Sequence, residues 1–338
     1  MSDAPAHPTT ASAPAAPTGP AAFPALPSRL RASDAGPTVS FELYPPRSEA
    51  ATASLWRTIP RLAEVTPDFF SVTYGASGSS RETSRAVVQW ILEHTATTTV
   101  AHLTCLGSPH AQVRAVAEQL VADGVRDFLA LRGDPPAGVP DWRPDPAGLQ
   151  RASELVELLR DVERAAGEPL SIAVAASPAA LVAATADGGG PASCGDLQAL
   201  VAKQAAGADH AITQVFFRPE DYVRYVEVAR ASGVDIPLLP GIVPLADPQR
   251  LRRLQEISGV DVPATILARL DAEQDDERRR AAGVAMGVEL VEAVLDAGAP
   301  GLHLYAFNQS RDVVDLLEGA GLADPAARAA RARGVPVA

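Results

Sequence analysis

A chain of 338 residues with 47% hydrophobic and 21% charged side chains has material for one large core or two ordinary ones, which excludes a fibrous or fully disordered protein. Its 29 basic against 41 acidic residues give a net charge of −12, so no basic stripe for a nucleic-acid backbone is expected. Cys105 and Cys194 are too few for a disulfide framework and are not spaced as metal ligands, which points to a reducing, cytoplasmic setting. No apolar run reaches the ~18 residues of a membrane span, and the first residues lack the basic start and apolar centre of a secretory signal.

In chain order, residues 1–36 are dominated by Ala, Pro, Ser and Thr and read as a disordered tail. From Thr38 a short apolar run, a polar or glycine-bearing loop and an amphipathic segment alternate, as in β/α units with parallel strands. The first strand is expected over Thr38–Leu43, followed by Tyr44-Pro45-Pro46-Arg47 and a helix through about Val65. The second is Phe69–Thr73, with a helix from near Arg81, and the third is Thr98–Thr104, with Ser108 placed to cap a helix ending before Gly124. The fourth is Asp127–Leu131, whose helix starts near Leu149 after a Pro-rich loop. The fifth, Leu170–Ala176, leads through a Gly-rich connection to a helix over Asp196–Ala206. The sixth, His210–Val215, precedes a helix opened by Pro219 in the favoured first-turn position. The seventh is Ile236–Gly241, followed by helices near Asp247–Ile257, Pro263–Leu270 and Asp276–Asp296. The eighth is Gly301–Tyr305, with a last helix over Arg311–Glu318. Eight strands alternating with helices are the count of a closed (β/α)8 TIM barrel over residues 37–325, leaving 326–338 as a flexible tail. A doubly wound open sheet competes, but no Gly-x-Gly-x-x-Gly follows a strand.

The stretch Leu129-Ala130-Leu131-Arg132-Gly133-Asp134-Pro135-Pro136 ends an apolar strand in a cation, a glycine and an anion. In β/α architectures this end of the strands is where ligands bind. Gly133 lets the backbone approach a flat ligand, Arg132 offers a fixed donor fork and Asp134 an anionic acceptor. A plain Gly-Asp-Pro turn is the competing reading. The other strands also end in hydrogen-bonding groups: Glu42, Thr73, His102, Ser177, Gln214, and Tyr305 with Asn308. Burying such groups without partners is costly, so their convergence points to a site. Glu42 at the barrel mouth is expected to have a raised pKa that suits proton donation near neutrality, an outward solvated Glu being the alternative. Gln214 reads as a buried amide in need of several partners.

In combination these motifs resemble the methylenetetrahydrofolate reductase family of the bacterial, single-domain type, over about residues 38–320. The motifs are Ser40-Phe41-Glu42 with Pro45-Pro46, Ser71-Val72-Thr73-Tyr74-Gly75-Ala76, Ala101-His102-Leu103-Thr104-Cys105, Leu131-Arg132-Gly133-Asp134-Pro135, Ala211-Ile212-Thr213-Gln214, Pro240-Gly241-Ile242, and Gly301-Leu302-His303 leading to Tyr305 and Asn308. The resemblance implies a barrel with FAD at its C-terminal mouth. NADH or NADPH would deliver hydride to the flavin, and methylenetetrahydrofolate would then take it on the same face, supplying methyl groups for methionine synthesis. It makes Glu42 the general acid and Asp134 a carboxylate near flavin and pterin. It puts Thr73, Tyr74, Ala76, His102, Leu131, Arg132, Gly133, Asp134, Ala152, Ala175, Asp196, Lys203 and Tyr305 on cofactor-contact positions, and Gln214 with Asp134 on substrate contacts. A small-molecule partner, with neither nucleic acid nor membrane and with a homo-oligomer allowed, completes the expectation.

Six positions depart from the family pattern. Ser177 and Leu181 stand where an aromatic residue and a His usually meet FAD, and Ala199 and Ala202 replace an amide and an Arg, so weaker flavin binding is expected. Arg250 and Gln309 likewise depart at folate-contact positions. A flavin-independent reductase, and a folate-binding barrel serving as a methyl-transfer module or non-catalytic partner subunit, are the alternatives. The presence of both Glu42 and Asp134 argues against a pure binder.

Overall fold

The computed structural model describes residues 26–32, 36–74, 78–135, 139 and 142–333. Among the described residues nine parallel strands run β1 Thr38–Leu43, β2 Phe69–Val72, β3 Thr98–Thr104, β4 Asp127–Leu131, β5 Ser171–Ala176, β6 His210–Thr213, β7 Leu238–Leu239, β8 Gly241–Ile242 and β9 Gly301–Tyr305. Their order is β7-β6-β5-β4-β3-β2-β1-β9-β8. β7 pairs with β6 and β8 with β9, so these two short strands are halves of one stave and the sheet closes as a (β/α)8 barrel. The single seventh strand expected over Ile236–Gly241 is thus divided at Pro240. Proline has no amide proton to extend a ladder, and its carbonyl accepts instead from the His303 N–H at 2.9 Å.

Alternate residues of each strand face opposite ways. Phe41, Leu43, Phe70, Val72, Leu103, Phe128, Ile172 and Val174 pack outward with Leu55, Ile59, Ile91, Leu155 and Leu159 of the surrounding helices. Phe69, Val100, Leu129, Ala173, Ile212 and Leu239 fill the lumen. Helix α1, Leu26–Arg31, sets Leu26 and Leu30 into this second cluster and plugs the N-terminal end of the barrel. Residues 26–31 were expected within the disordered tail; two leucines one turn apart suffice to seat them. Residues 1–25 of that tail lie outside the described residues.

Three further expectations are corrected. The Gly-rich connection after the fifth strand begins with a helix, α6 Pro178–Ala186, capped by the Ser177 hydroxyl, which accepts from the Ala180 N–H. Ser108 does not cap the following helix, α4 His110–Ala122: its N-cap is Pro109, and the Ser108 hydroxyl accepts from Arg81 at 3.3 Å. Part of the expected C-terminal tail is a helix, α13 Pro325–Ala332. Its Arg328 is buried and donates to the Val65 and Thr66 carbonyls at 3.2 and 2.8 Å.

Asp127, at the N-terminal end of β4, is pushed up to about 7, by burial first, with a Ser171 hydrogen bond opposing and Asp209 adding. A carboxyl raised in the folded state favours folding when protonated, so that stabilisation is lost as pH rises from about 4 through about 7. Asp127→Asn is expected to raise the melting temperature at pH 8 and to do so progressively less towards pH 4. A gain independent of pH in thermal melts would contradict this.

Candidate active site

Because all strands are parallel, Glu42, Thr73, His102, Leu131, Ala175, Gln214 and Tyr305 share the C-terminal end of the barrel. Register sets Glu42 level with Ser71 on one side and Tyr305 on the other. Glu42 faces the lumen and is 8% exposed. Its Oε1 accepts from the Thr73 hydroxyl at 3.2 Å, and its Oε2 lies 3.5 Å from His303 Nε2 and 3.9 Å from His102 Nε2. The Tyr44 hydroxyl also hydrogen-bonds this carboxylate, and its own pKa is driven well above the usual phenol value by burial and then by Glu42. The Tyr44 backbone is clamped by Asn308, whose Oδ1 accepts from the Tyr44 N–H and whose Nδ2 donates to its carbonyl, each at 2.9 Å. Phe307 and Asn308 have φ of 51° and 55°, a conformation uncommon for residues other than glycine, and the clamp holds them in it.

Burial alone would raise the Glu42 carboxyl, but the His303 hydrogen bond, the His102 and His303 imidazoles and the Thr73 hydroxyl outweigh it and hold the group below the ordinary carboxylate range. The expected raised pKa is therefore reversed, because the lumen is polar at this level. Burial pushes His102 down to about 4 despite Glu42, so it is a neutral imidazole at neutral pH. Its Nε2 finds no hydrogen-bond partner among the described residues.

At the same C-terminal end of the barrel a cavity of about 620 Å³ is lined by Leu131, Arg132, Ala152, Ala175, Asp196 and Lys203, together with Gln150, Arg151, Ala199 and Ala202. Lys203 is buried and donates to the Ala175 carbonyl at 2.7 Å. Asp196 is held by the Ser177 N–H at 2.9 Å and the Tyr225 hydroxyl at 2.6 Å. Gly133 has φ +84°, where side chains are strained, and a Cβ there would lie 3.2 Å from Thr104 Cβ. Of the departing positions, Ser177 caps α6, Leu181 is core, and Ala199 and Ala202 present methyl groups to the cavity. A larger hollow of about 750 Å³ at the opposite end of the barrel, lined among others by Leu26, Pro60 and Trp90, carries none of the strand-end groups.

Not every expected residue joins the cluster. Arg132 and Asp134 are exposed on the loop after β4. Gln214, expected to be buried, is exposed, and its Oε1 accepts from the Val215 N–H at 2.9 Å. Ala76 lies outside the described residues. Sequence reasoning missed His303 as a site residue although it stood inside a quoted motif; it shares strand parity with Tyr305, which was the available signal. Arg151, another cavity residue, was missed too.

Comparison with known proteins agrees with this architecture. The methylenetetrahydrofolate reductase family model matches residues 28–321. The 5,10-methylenetetrahydrofolate reductase of Escherichia coli (strain K12) is 32% identical over 273 residues, covering 80% of this chain and 86% of that one. The protein of the same name from Pectobacterium carotovorum subsp. carotovorum is 34% identical over 275 residues, with the same coverage of 80% and 86%. A solved Clostridium thermocellum protein described as binding two copies of 5-methyl-5,6,7,8-tetrahydrofolic acid superposes with a TM-score of 0.57 at 13% identity, over 86% of this chain and 96% of that one, and shares the fold. With a family match across nearly the whole barrel and relatives above 30% identity over most of their length, this chain belongs to the methylenetetrahydrofolate reductase family.

Proposed function

We propose that this chain reduces 5,10-methylenetetrahydrofolate to 5-methyltetrahydrofolate with NADH or NADPH as hydride donor, through FAD. The observation carrying the reading is the presence, at one end of the barrel, of a buried carboxyl cluster around Glu42 and of a cavity that bears Arg132, Arg151 and Lys203 in a chain of net charge −12. Three cations on one cavity fit a dinucleotide diphosphate, and the small side chains of Ala152 and Ala175 leave its floor open. When bound, FAD supplies a two-electron carrier between nicotinamide and folate. Arg132, Arg151 and Lys203 would hold its phosphates, and Leu131 and Ala175 would floor its rings.

Glu42 acts as the proton donor to the folate's five-membered ring, which opens once a ring nitrogen is protonated. Thr73 and Tyr44 orient that carboxyl, while Asp134 and Gln214 on the rim contact the pterin. A carboxyl held below its ordinary range is mostly ionised at neutral pH, so the proton it delivers has to reach it from a neighbour.

The test is a turnover assay of purified protein supplied with excess FAD, NADH or NADPH, and methylenetetrahydrofolate, with formation of methyltetrahydrofolate as readout. Background rates with both nucleotides, and with menadione in place of folate, would overturn the reading. Lys203→Met is expected to weaken FAD binding by roughly 10- to 100-fold, on the scale of about 1.5–3 kcal/mol for a charged hydrogen bond. Unchanged affinity in a flavin titration would remove Lys203 from the site. The methyl groups of Ala199 and Ala202 on the cavity wall favour weak flavin binding, with a flavin-independent hydride transfer as second reading. Folate turnover that survives exhaustive flavin removal would select that second reading.

A further inference from the structure

His303 is fully buried in the lumen on β9, beneath Glu42, and its two ring nitrogens have different jobs. Ser40 Oγ lies 2.8 Å from Nδ1 and 3.0 Å from the Leu302 carbonyl. A hydroxyl has one proton, and a carbonyl can only accept. With the Ser40 proton given to Leu302, Oγ accepts from Nδ1–H. Nδ1 is therefore committed as a donor. Nε2 is left facing Ser71 Oγ at 3.3 Å and Glu42 Oε2 at 3.5 Å. The ring cannot swing away, since Phe69 stacks on it at 5.6 Å and Tyr305 abuts it edge-on at 5.6 Å.

We propose that Glu42 and His303 share a single proton between Oε2 and Nε2, and that His303 is the positioning residue that stores this proton for Glu42 before each delivery to the folate ring. This rests on the reading of Glu42 as the acid. The step balances: the Glu42 O–H bond breaks as the ring nitrogen gains its N–H. That proton has first passed from His303 Nε2 to Oε2, and the emptied pair recovers one proton from solvent at the mouth through Glu42, the imidazole itself being fully buried beneath it. No electrons move.

Among the described residues, the surrounding groups leave this pair alone in that role. Tyr44 faces the carboxyl from the loop after β1, Thr73 from the end of β2, His102 from β3 and Tyr305 from β9, while His210 approaches His303 from β6. Burial pushes His102 down to about 4 and His210 down to about 3, so both are neutral at neutral pH. Burial, then Glu42, drives the Tyr44 and Tyr305 hydroxyls well above the usual phenol range, so both stay protonated.

The experiment measures the folate and nicotinamide half-reactions of the FAD-loaded full chain by rapid mixing across pH, for the wild type, His303→Gln, Ser40→Ala and Glu42→Gln. A glutamine amide can donate to Glu42 but has no basic nitrogen to store a proton. In His303→Gln the pH above which the folate step fails is expected to move at least one unit lower. The ratio of folate to nicotinamide rates at pH 7.5 is expected to fall at least tenfold. Ser40→Ala, which frees the tautomer, should move the same limb in the same direction by less, and it carries the test if His303→Gln does not fold. In histidine-labelled ¹⁵N spectra, Nδ1 of His303 should stay protonated throughout. A limb unmoved in the folded variants, or a His303 ring with Nδ1 bare, overturns the proposal. If Glu42→Gln itself leaves the folate step intact, the acid reading fails instead. If Glu42→Gln stops that step while the limb stays in place in the other variants, only the shared proton is refuted.

Discussion

Glu42→Gln is expected to reduce folate turnover by roughly 10²- to 10⁴-fold while leaving nicotinamide-dependent reduction of menadione in place. That range is typical of losing a general acid and corresponds to about 3–5 kcal/mol of barrier. The amide keeps the volume of the carboxyl and a partner for the Thr73 hydroxyl, so the lumen need not repack. The two reactions should separate because Glu42 faces the lumen cluster, whereas the cations proposed to hold the dinucleotide line a cavity that none of the cluster's residues lines. A folate-binding barrel without reductase activity would show neither reaction before or after the change. Equal loss of both would mean that the carboxyl supports the site's structure and not a proton transfer.

Arg328→Ala is expected to cost about 3–5 kcal/mol of stability, as when one partner of a buried charged network is removed, and to lower the melting temperature by several degrees. The guanidinium is 3% exposed and ties α13 to the opposite terminus of the barrel. It reaches the carbonyls of Val65 and Thr66, the Thr66 hydroxyl at 3.3 Å, and Asp68 at 3.7 Å. Asp68 also pairs with Arg29 of α1 at 3.0 Å and accepts from the Val39 N–H at 2.8 Å. Removing Arg328 would leave those oxygens facing an emptied space. Melting unchanged in the variant would return residues 326–332 to the tail that the sequence suggests.

The staves of the barrel were legible because parallel strands covered on both faces read as short apolar runs between turn residues. The same double burial hid which way each side chain points. Glu42 and His303 both stand in such runs, and nothing local distinguishes a lumen-facing polar residue from a misplaced one. The direction of the Glu42 shift depends on Thr73, His102 and His303, which ring closure brings to it from 31 to 261 positions away along the sequence. Helix α6 escaped notice because Ala-Ala-Leu-Val-Ala-Ala shows no polar face. The helices α1 and α13 sit in Ala-, Pro- and Arg-rich segments whose few anchors, Leu26, Leu30 and Arg328, acquire meaning only against the barrel floor. Leu131, Ala152, Ala175, Asp196 and Lys203, by contrast, were placed through the resemblance to the family, and they do share one cavity.

Among the described residues, Leu26 and Leu30 stop the N-terminal end of the barrel interior, which leaves the C-terminal mouth as the doorway. Water renewing the store beneath Glu42 must come in by the same threshold that ligands cross. Replenishment is then in series with ligand departure, and a folate lingering in the doorway shuts the chamber off from the bulk until it leaves.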